Sequence, residues 1–322
     1  MPMELYPLQF KPILKERIWG GTQLESFLNK PVVSKTTGES WEISGLEGDV
    51  SIVSKGVYAG ESLNALISKY PVEMLGAKVY ATFGEEFPLL FKFLDAKEDL
   101  SIQVHPNDTL AKERHNANGK TEMWYVVQAE ENARLIVGFK EDASKEAYLE
   151  CLKNKSLTSI LDDYPVKAGD VFYLETGTVH AIGAGTLIAE IQQSSDITYR
   201  IYDFDRKDAN GNLRELHVDF ALDAINYKKI DVKKAYEASL NKEVSLVDSP
   251  YFSAAIIDLD GVLDKNNSND SFVVYMCVGG VFEIQVEDKK YEFQLGDSVL
   301  IPAALTNFQL SGQAKLLEIN IS

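Results

Sequence analysis

Hydrophobic and polar residues recur along this chain with two periods, and the points where the period changes mark its elements. Gly38-Glu39-Ser40-Trp41-Glu42-Ile43-Ser44 alternates every second residue, as a half-buried strand does. Leu63, Leu66 and Ile67 share a helical face over about 62–70, with Tyr70-Pro71 as its stop. Phe87 to Leu94 is apolar except for Lys92, which suits a strand buried on both faces. In Leu100-Ser101-Ile102-Gln103-Val104-His105 the alternation puts Ser101, Gln103 and His105 on one face and the apolar residues on the other. A strand from Glu122 to Val127 follows a loop containing Asn118-Gly119. Residues 141–161 return to helical spacing through Ala147, Leu149, Leu152, Leu157 and Leu161. A Gly169-Asp170 turn then leads into Val171 to Leu174. His180 stands at a strand start, and Leu187 to Gln192 leads into Ser194 to Asp203. A polar loop covers 206–212, and 219–240 mixes helical and linker-like pieces. Many short strands between turn signals predict a mainly β chain built from small barrels or jelly rolls.

The end of the chain echoes its middle. Gly169-Asp170-Val171-Phe172-Tyr173-Leu174 returns as Gly296-Asp297-Ser298-Val299-Leu300-Ile301, and Tyr125-Val126-Val127 as Tyr275-Met276-Cys277-Val278. The spacing from tyrosine to glycine is 44 residues in the first copy and 21 in the second. The surplus of 23 matches the helical segment 141–161, which reads as an insertion in the first copy. Aligning the tyrosines puts Phe272 opposite Glu122, and the turn spacing puts Asn307 opposite His180. The fold is repeated; the polar residues of the first copy are not.

Composition narrows the function. Net charge is −17 and the pI about 4.7, which disfavours nucleic acid as a partner. Apolar residues make up 45% and charged residues 25%, with no apolar run of membrane-spanning length. No basic stretch followed by an apolar one opens the chain, so no secretory signal is expected. Cys151 and Cys277 are far apart and read as reduced, buried thiols of a cytoplasmic protein.

The candidate chemistry is the set Gln103, His105, Glu122 and His180. Two imidazoles, a carboxylate and an amide oxygen suit zinc, with iron, manganese or cobalt as substitutes, and leave a position open for water or substrate. Of the other histidines, His115 falls in a polar loop and His217 has no assignable partner. An ammonium inside an apolar strand is costly, so Lys92 either reaches water or points into a pocket as a cation. Trp41 is either core or the wall of a sugar pocket. No glycine-rich phosphate loop, Cys-x-x-Cys or nucleophile elbow occurs in the sequence.

Four of these stretches, in this order, resemble the short bacterial form of the type I mannose-6-phosphate isomerases (phosphomannose isomerases). They are Ser101-Ile102-Gln103-Val104-His105-Pro106, Lys120-Thr121-Glu122-Met123, Gly177-Thr178-Val179-His180-Ala181, and Glu190 with Ser194-Ser195-Asp196-Ile197-Thr198-Tyr199-Arg200. Many members read Lys-Pro-Glu where this chain has Lys120-Thr121-Glu122; the lysine and glutamate are kept. The resemblance implies a bicupin, two jelly-roll β-barrels with a helical insertion in the first. Residues 1–235 would form the catalytic cupin and 236–322 a degenerate barrel without metal ligands. It implies one Zn2+ per chain on Gln103, His105, Glu122 and His180, and interconversion of mannose 6-phosphate and fructose 6-phosphate through a cis-enediol. Arg200 matches the family's active-site arginine and Asp196 its nearby acid. Asp196, Glu190 and Lys120 are candidates for the base. Ser101, Lys92 and Lys120 are candidates to hold the phosphate, and Trp41 to wall the sugar. A monomer or weak homodimer is expected. Two rival readings are an iron cupin dioxygenase, which would need a third histidine, and a metal-containing sugar-binding bicupin without catalysis.

Overall fold

The computed structural model describes residues 2–207 and 211–321; residues 208–210 of the polar loop lie outside that description. The chain is mainly β. Its centre is a seven-stranded sheet in the order Lys233–Lys234, Val171–Leu174, Glu122–Ala129, Thr186–Gln193, Leu89–Ala96, Ile13–Gly21, Thr37–Ile43. Both faces of this sheet are covered. One packs over a core containing Trp19, Leu94, Trp124 and Ile188, closed from the other side by Leu135, Val137 and Ile182. Those three belong to a five-stranded sheet ordered Tyr199–Tyr202, Ile102–Val104, His180–Ile182, Arg134–Phe139, Leu161–Pro165. The opposite face sends Phe91, Phe93, Met123 and Tyr125 into a second core with the helical region and the C-terminal strands. This explains the run around Lys92. Its apolar neighbours serve the second core, while the period of two turns Lys92 toward the five-stranded sheet.

The remaining strands form one sheet, ordered Leu8–Gln9, Ser298–Ile301, Val273–Val286, Asn307–Asn320, Ser253–Asn266, Glu243–Asp248, with Lys289–Gln294 beside Val273–Val286. Its three long strands fold over their own core, in which Tyr275 and Cys277 meet Phe282 and Ile284 of the same strand. A register shift between Cys277 and Gly279 marks the bend. There Gly280 has φ +75°, and a Cβ would lie 2.0 Å from the Gln313 carbonyl oxygen, so only glycine fits. In the central sheet Thr37–Ile43 also pairs directly with Leu89–Ala96, and in none of the three sheets does the first strand of the order pair with the last.

Several local expectations need correction. The stop at Tyr70-Pro71 holds for the first helix, but further helix follows it. Leu63–Lys69, capped by Ser62, is followed directly by Pro71–Leu75 and Ala77–Phe83. Proline stands at the start of the second helix, where its missing N–H has no partner to lose. The helical pattern over 141–161 resolves into a helix, Lys145–Lys153, a single 3-10 turn, Leu157–Ser159, and a strand beginning at Leu161. His115 is not in a loop: it ends the helix Asp108–His115, and its Nε2 lies 2.8 Å from Tyr199 Oη. Cys151 is half-buried rather than buried, and both thiols are free.

The internal echo is real in hydrogen bonding but displaced by one residue. Val126 donates to Asp170 O and accepts from Gly169 N; Cys277 donates to Asp297 O and accepts from Gly296 N. Val126 therefore corresponds to Cys277, and Tyr125 to Met276. Glu122, which faces Leu174, corresponds to Val273, which faces Ile301. The tyrosines misled because a one-residue slip exchanges the faces of a strand: Tyr125 and Tyr275 point into different cores. With valine in the place of Glu122, the second copy still lacks the carboxylate.

Candidate metal centre and active site

Two rows of residues face each other across the space between the seven- and five-stranded sheets. On the first, Trp41, Lys92, Glu190, Trp124 and Phe172 are direct cross-strand neighbours over five strands. On the second, Arg200, Gln103, His180 and Val137 are neighbours over four. Glu122 lies two residues before Trp124, on the same face. His105 follows the strand Ile102–Val104 by one residue. The sheets thus bring together side chains far apart in the chain, 77 positions between Gln103 and His180 and 98 between Lys92 and Glu190.

The centre is built from His105, Glu122 and His180, whose candidate donor atoms all lie within 4.8 Å of one another. All three are buried. His105 Nδ1 lies 2.8 Å from Ile197 O, and His180 Nδ1 lies 2.8 Å from Thr178 O. A carbonyl can only accept, so each Nδ1 carries the proton and each Nε2 presents a lone pair. Those Nε2 atoms converge on Glu122, at 3.4 Å from Oε1 and 3.7 Å from Oε2. Lys120 Nζ lies 2.6 Å from Glu122 Oε1, yet neither carboxylate oxygen receives a well-formed hydrogen bond. A buried carboxylate paired with one ammonium through Oε1, with Oε2 lacking any donor among the described residues, beside two imidazole lone pairs is a donor set for a divalent cation. Gln103 adjoins it with Nε2 at 3.2 Å from His180 Nε2; a half-turn of the amide would present its oxygen instead.

Burial pushes the His105 imidazole down to about 4, and the Lys120 ammonium adds to the effect. His180 is lowered too, again mainly by burial. For Glu122, burial acts upward but is outweighed by Lys120, then His105 and His180, and the carboxyl stays well below its usual range. The centre therefore holds two neutral imidazoles and an anion, the protonation state in which a metal binds. Because His105 titrates lower folded than unfolded, the unfolded chain takes up more protons between about pH 6.5 and 4. Stability present above that window is lost as pH falls through it, by about 3 kcal/mol for a shift of this size. Metal-free protein should melt at progressively lower temperature from pH 6.5 to 4.5, and His105→Gln should flatten that slope. Parallel slopes in thermal melts of the two proteins would refute the assignment.

Trp41, Lys92, Ser101, Gln103, Lys120, Glu190, Asp196 and Arg200 all line one cavity of about 680 Å³. Lys92 does not reach bulk water: its Nζ bonds Glu190 Oε1 at 2.9 Å and Gln192 Oε1 at 2.5 Å, and lies 5.1 Å from the Trp41 ring centre. Glu190 is held by Lys92 and, through Oε2, by Trp124 Nε1 at 2.9 Å. Trp41 donates to Glu39 Oε2 at 2.6 Å. Arg200 Nη1 donates to Glu215 O at 2.9 Å, its backbone N donates to His217 Nδ1 at 3.0 Å, and its Nε is buried without a partner. His217, unassigned in the sequence, therefore fixes the backbone of Arg200. Neither His115 nor His217 joins the metal centre, so the third imidazole of the dioxygenase reading is not supplied.

The cavity also holds Lys15, Arg17, Glu39 and Arg214, which sequence reasoning did not single out. For Lys15 and Arg17 a signal existed in the charged Lys15-Glu16-Arg17 stretch of a strand. Arg214 follows a polar loop, and nothing in its neighbours points to a site.

This chain matches a family model described as phosphomannose isomerase type I, catalytic domain, over residues 7–133, and one described as mannose-6-phosphate isomerase, cupin domain, over residues 242–321. Along almost its whole length it is similar to mannose-6-phosphate isomerase ManA of Bacillus subtilis, with 37% identity over 319 residues, covering 98% of this chain and 99% of the relative. The chain belongs to the mannose-6-phosphate isomerase family. A mannose-6-phosphate isomerase of Streptococcus mutans is likewise 37% identical over 313 residues, covering 97% of each chain. A crystal structure of the B. subtilis mannose 6-phosphate isomerase superimposes with a TM-score of 0.89 at 34% identity, covering 97% of this chain and 99% of that one. In this member of the mannose-6-phosphate isomerase family, the catalytic-domain match ends at residue 133, so it contains Gln103, His105 and Glu122 but not His180 or Arg200.

Proposed function

We propose that this protein is a zinc-dependent aldose–ketose isomerase that interconverts D-mannose 6-phosphate and D-fructose 6-phosphate through a cis-enediol. The observation that carries the reading is the convergence of the His105 and His180 lone pairs on the donor-poor Glu122 carboxylate beside a cation-bearing cavity. The names of the relatives supply the substrate pair. One zinc ion held by Gln103, His105, Glu122 and His180 would supply Lewis acidity toward the sugar's oxygens.

The chain's own residues do the rest. Isomerisation moves a proton between C1 and C2 of the open-chain sugar. Asp196 lines the cavity, is exposed to it, and among the described residues has no ion-pair partner, so its carboxylate is free to take the proton from one carbon and return it to the other. Glu190 is less suited, since both its oxygens are bonded, and Lys120 is paired with Glu122. The Arg200 guanidinium faces the charge that develops on the enediolate oxygens. Ser101 offers a hydroxyl, Lys92 a positive charge and Trp41 an aromatic wall to the bound sugar phosphate. In finer architecture we read two cupin units, a catalytic one to about residue 235 carrying the inserted helix and a degenerate one after it. They would act as a monomer or weak homodimer in the cytoplasm.

A coupled assay for fructose 6-phosphate formed from mannose 6-phosphate tests the reading. Activity should vanish with a chelator and return with zinc. Zinc-loaded protein that binds mannose 6-phosphate without turning it over would overturn it in favour of a sugar-binding protein.

A further inference from the structure

We propose that Arg214, flanked by Arg17, binds the phosphate of the substrate; this assignment rests on the sugar-phosphate reading above and names the residues that select for the phosphate. The charges around the cavity single this corner out. Lys15 pairs with Asp49, Arg17 with Glu39, Lys92 with Glu190 and Lys120 with Glu122, so each of these cations already has an anion. Around Asp203 the balance differs. Arg206 and Arg214 both pair with this one carboxylate, and Arg200 has no ion-pair partner among the described residues. Among the described residues, three guanidinium groups gather around this carboxylate, with Glu215 the other acid that acts on Arg200, so positive charge is in excess there and complements a phosphate dianion. In a chain of net charge −17, such a surplus half-buried in a cavity is a specific feature rather than a reflection of composition.

Geometry supports the choice of Arg214 within this group. Arg206 bonds Asp203 Oδ1 and the Asp99 carbonyl and does not line the cavity. Arg200 is tied to Glu215 O beside the row that leads to Gln103 and His180, which places it at the reacting end. Arg214 lines the cavity next to that point, and among the described residues its only ion pair is a loose one, Nε to Asp203 Oδ2 at 3.5 Å. Among the described residues its other guanidinium donors remain available, and a planar fork of donors matches phosphate oxygens. Arg17 supplies a neighbouring guanidinium with Nε on Glu39 and Nη1 on Glu16 O. Burial, and then repulsion by Arg200, lower the Arg214 pKa, a cost that a bound dianion would relieve.

The test uses inorganic phosphate and mannose 6-phosphate on the zinc-loaded full chain. Arg214→Gln should weaken inorganic phosphate binding, measured by calorimetry, and raise KM for mannose 6-phosphate, each by about tenfold or more, with kcat held within about threefold. Arg214→Lys keeps the charge but not the fork and should fall between wild type and Arg214→Gln; Arg17→Gln should shift both values in the same direction by less. Lys155→Gln, which removes a surface charge paired with Asp205, controls for long-range electrostatics and should leave both values unchanged. Phosphate affinity and KM in Arg214→Gln equal to those of wild type would overturn the assignment. A wild type that binds inorganic phosphate through Arg214 but does not isomerise would instead overturn the isomerase reading and leave this assignment standing.

Discussion

Glu122→Gln should bind zinc at least about 100-fold more weakly than wild type and lose nearly all isomerase activity, since removing a ligand costs more than removing the group that orients one. Glu122 is the single anion among the three convergent donors, and the substitution keeps its shape while removing its charge. A second effect follows from Lys120, whose ammonium is buried 2.6 Å from Glu122 Oε1. Leaving that ammonium without its partner costs about 3–5 kcal/mol in comparable buried pairs, so the metal-free variant should also melt at lower temperature. Competition with a chromogenic chelator measures the first effect and thermal melts of the metal-free proteins the second. Wild-type zinc affinity in the variant would eliminate Glu122 as a ligand.

Arg200→Ala should separate chemistry from metal binding. Turnover is expected to fall by about 100- to 1000-fold, the usual effect of removing one group that stabilises a developing oxyanion, while zinc content stays at the wild-type level. The reason lies in how Arg200 is held. His217 accepts from its backbone N at 3.0 Å and donates to its carbonyl at 2.7 Å, so the backbone is fixed whatever the side chain. The side chain then extends to Glu215 O, beside Gln103 but bonded to none of His105, Glu122 and His180. Arg200→Lys should recover only part of the rate, because an ammonium cannot reproduce the fork. Undiminished turnover in Arg200→Ala, with zinc measured on the same sample, would end its assigned role.

The local half of this site was legible because strand geometry has a fixed period. Alternation in Ser101 to His105 put Gln103 and His105 on one polar face, and that is the face they occupy. The same rule explains Lys92, whose apolar neighbours serve the opposite core. Where a residue sits between two periods, the sequence misleads. Pro71 follows the end of one helix, as expected, but also starts the next, because proline is excluded from helix interiors but not from first turns. The repeated tyrosines suggested a register that backbone hydrogen bonds shift by one residue, exchanging Phe272 for Val273 opposite Glu122.

Residue types and their order along the chain determined the mainly β class, the candidate ligands Gln103, His105, Glu122 and His180, and the loss of the carboxylate in the second copy. These depend on side-chain chemistry and on periods that act over a few residues. Only the tertiary structure decided that the carbonyls of Ile197 and Thr178 turn both imidazoles toward Glu122, that His217 fixes the backbone of Arg200, that Lys92 is held by Glu190, and that Arg17 and Arg214 complete the cavity. Apart from the local bond between Thr178 and His180, these contacts join segments far apart in the chain, and such contacts leave no periodic trace in the sequence.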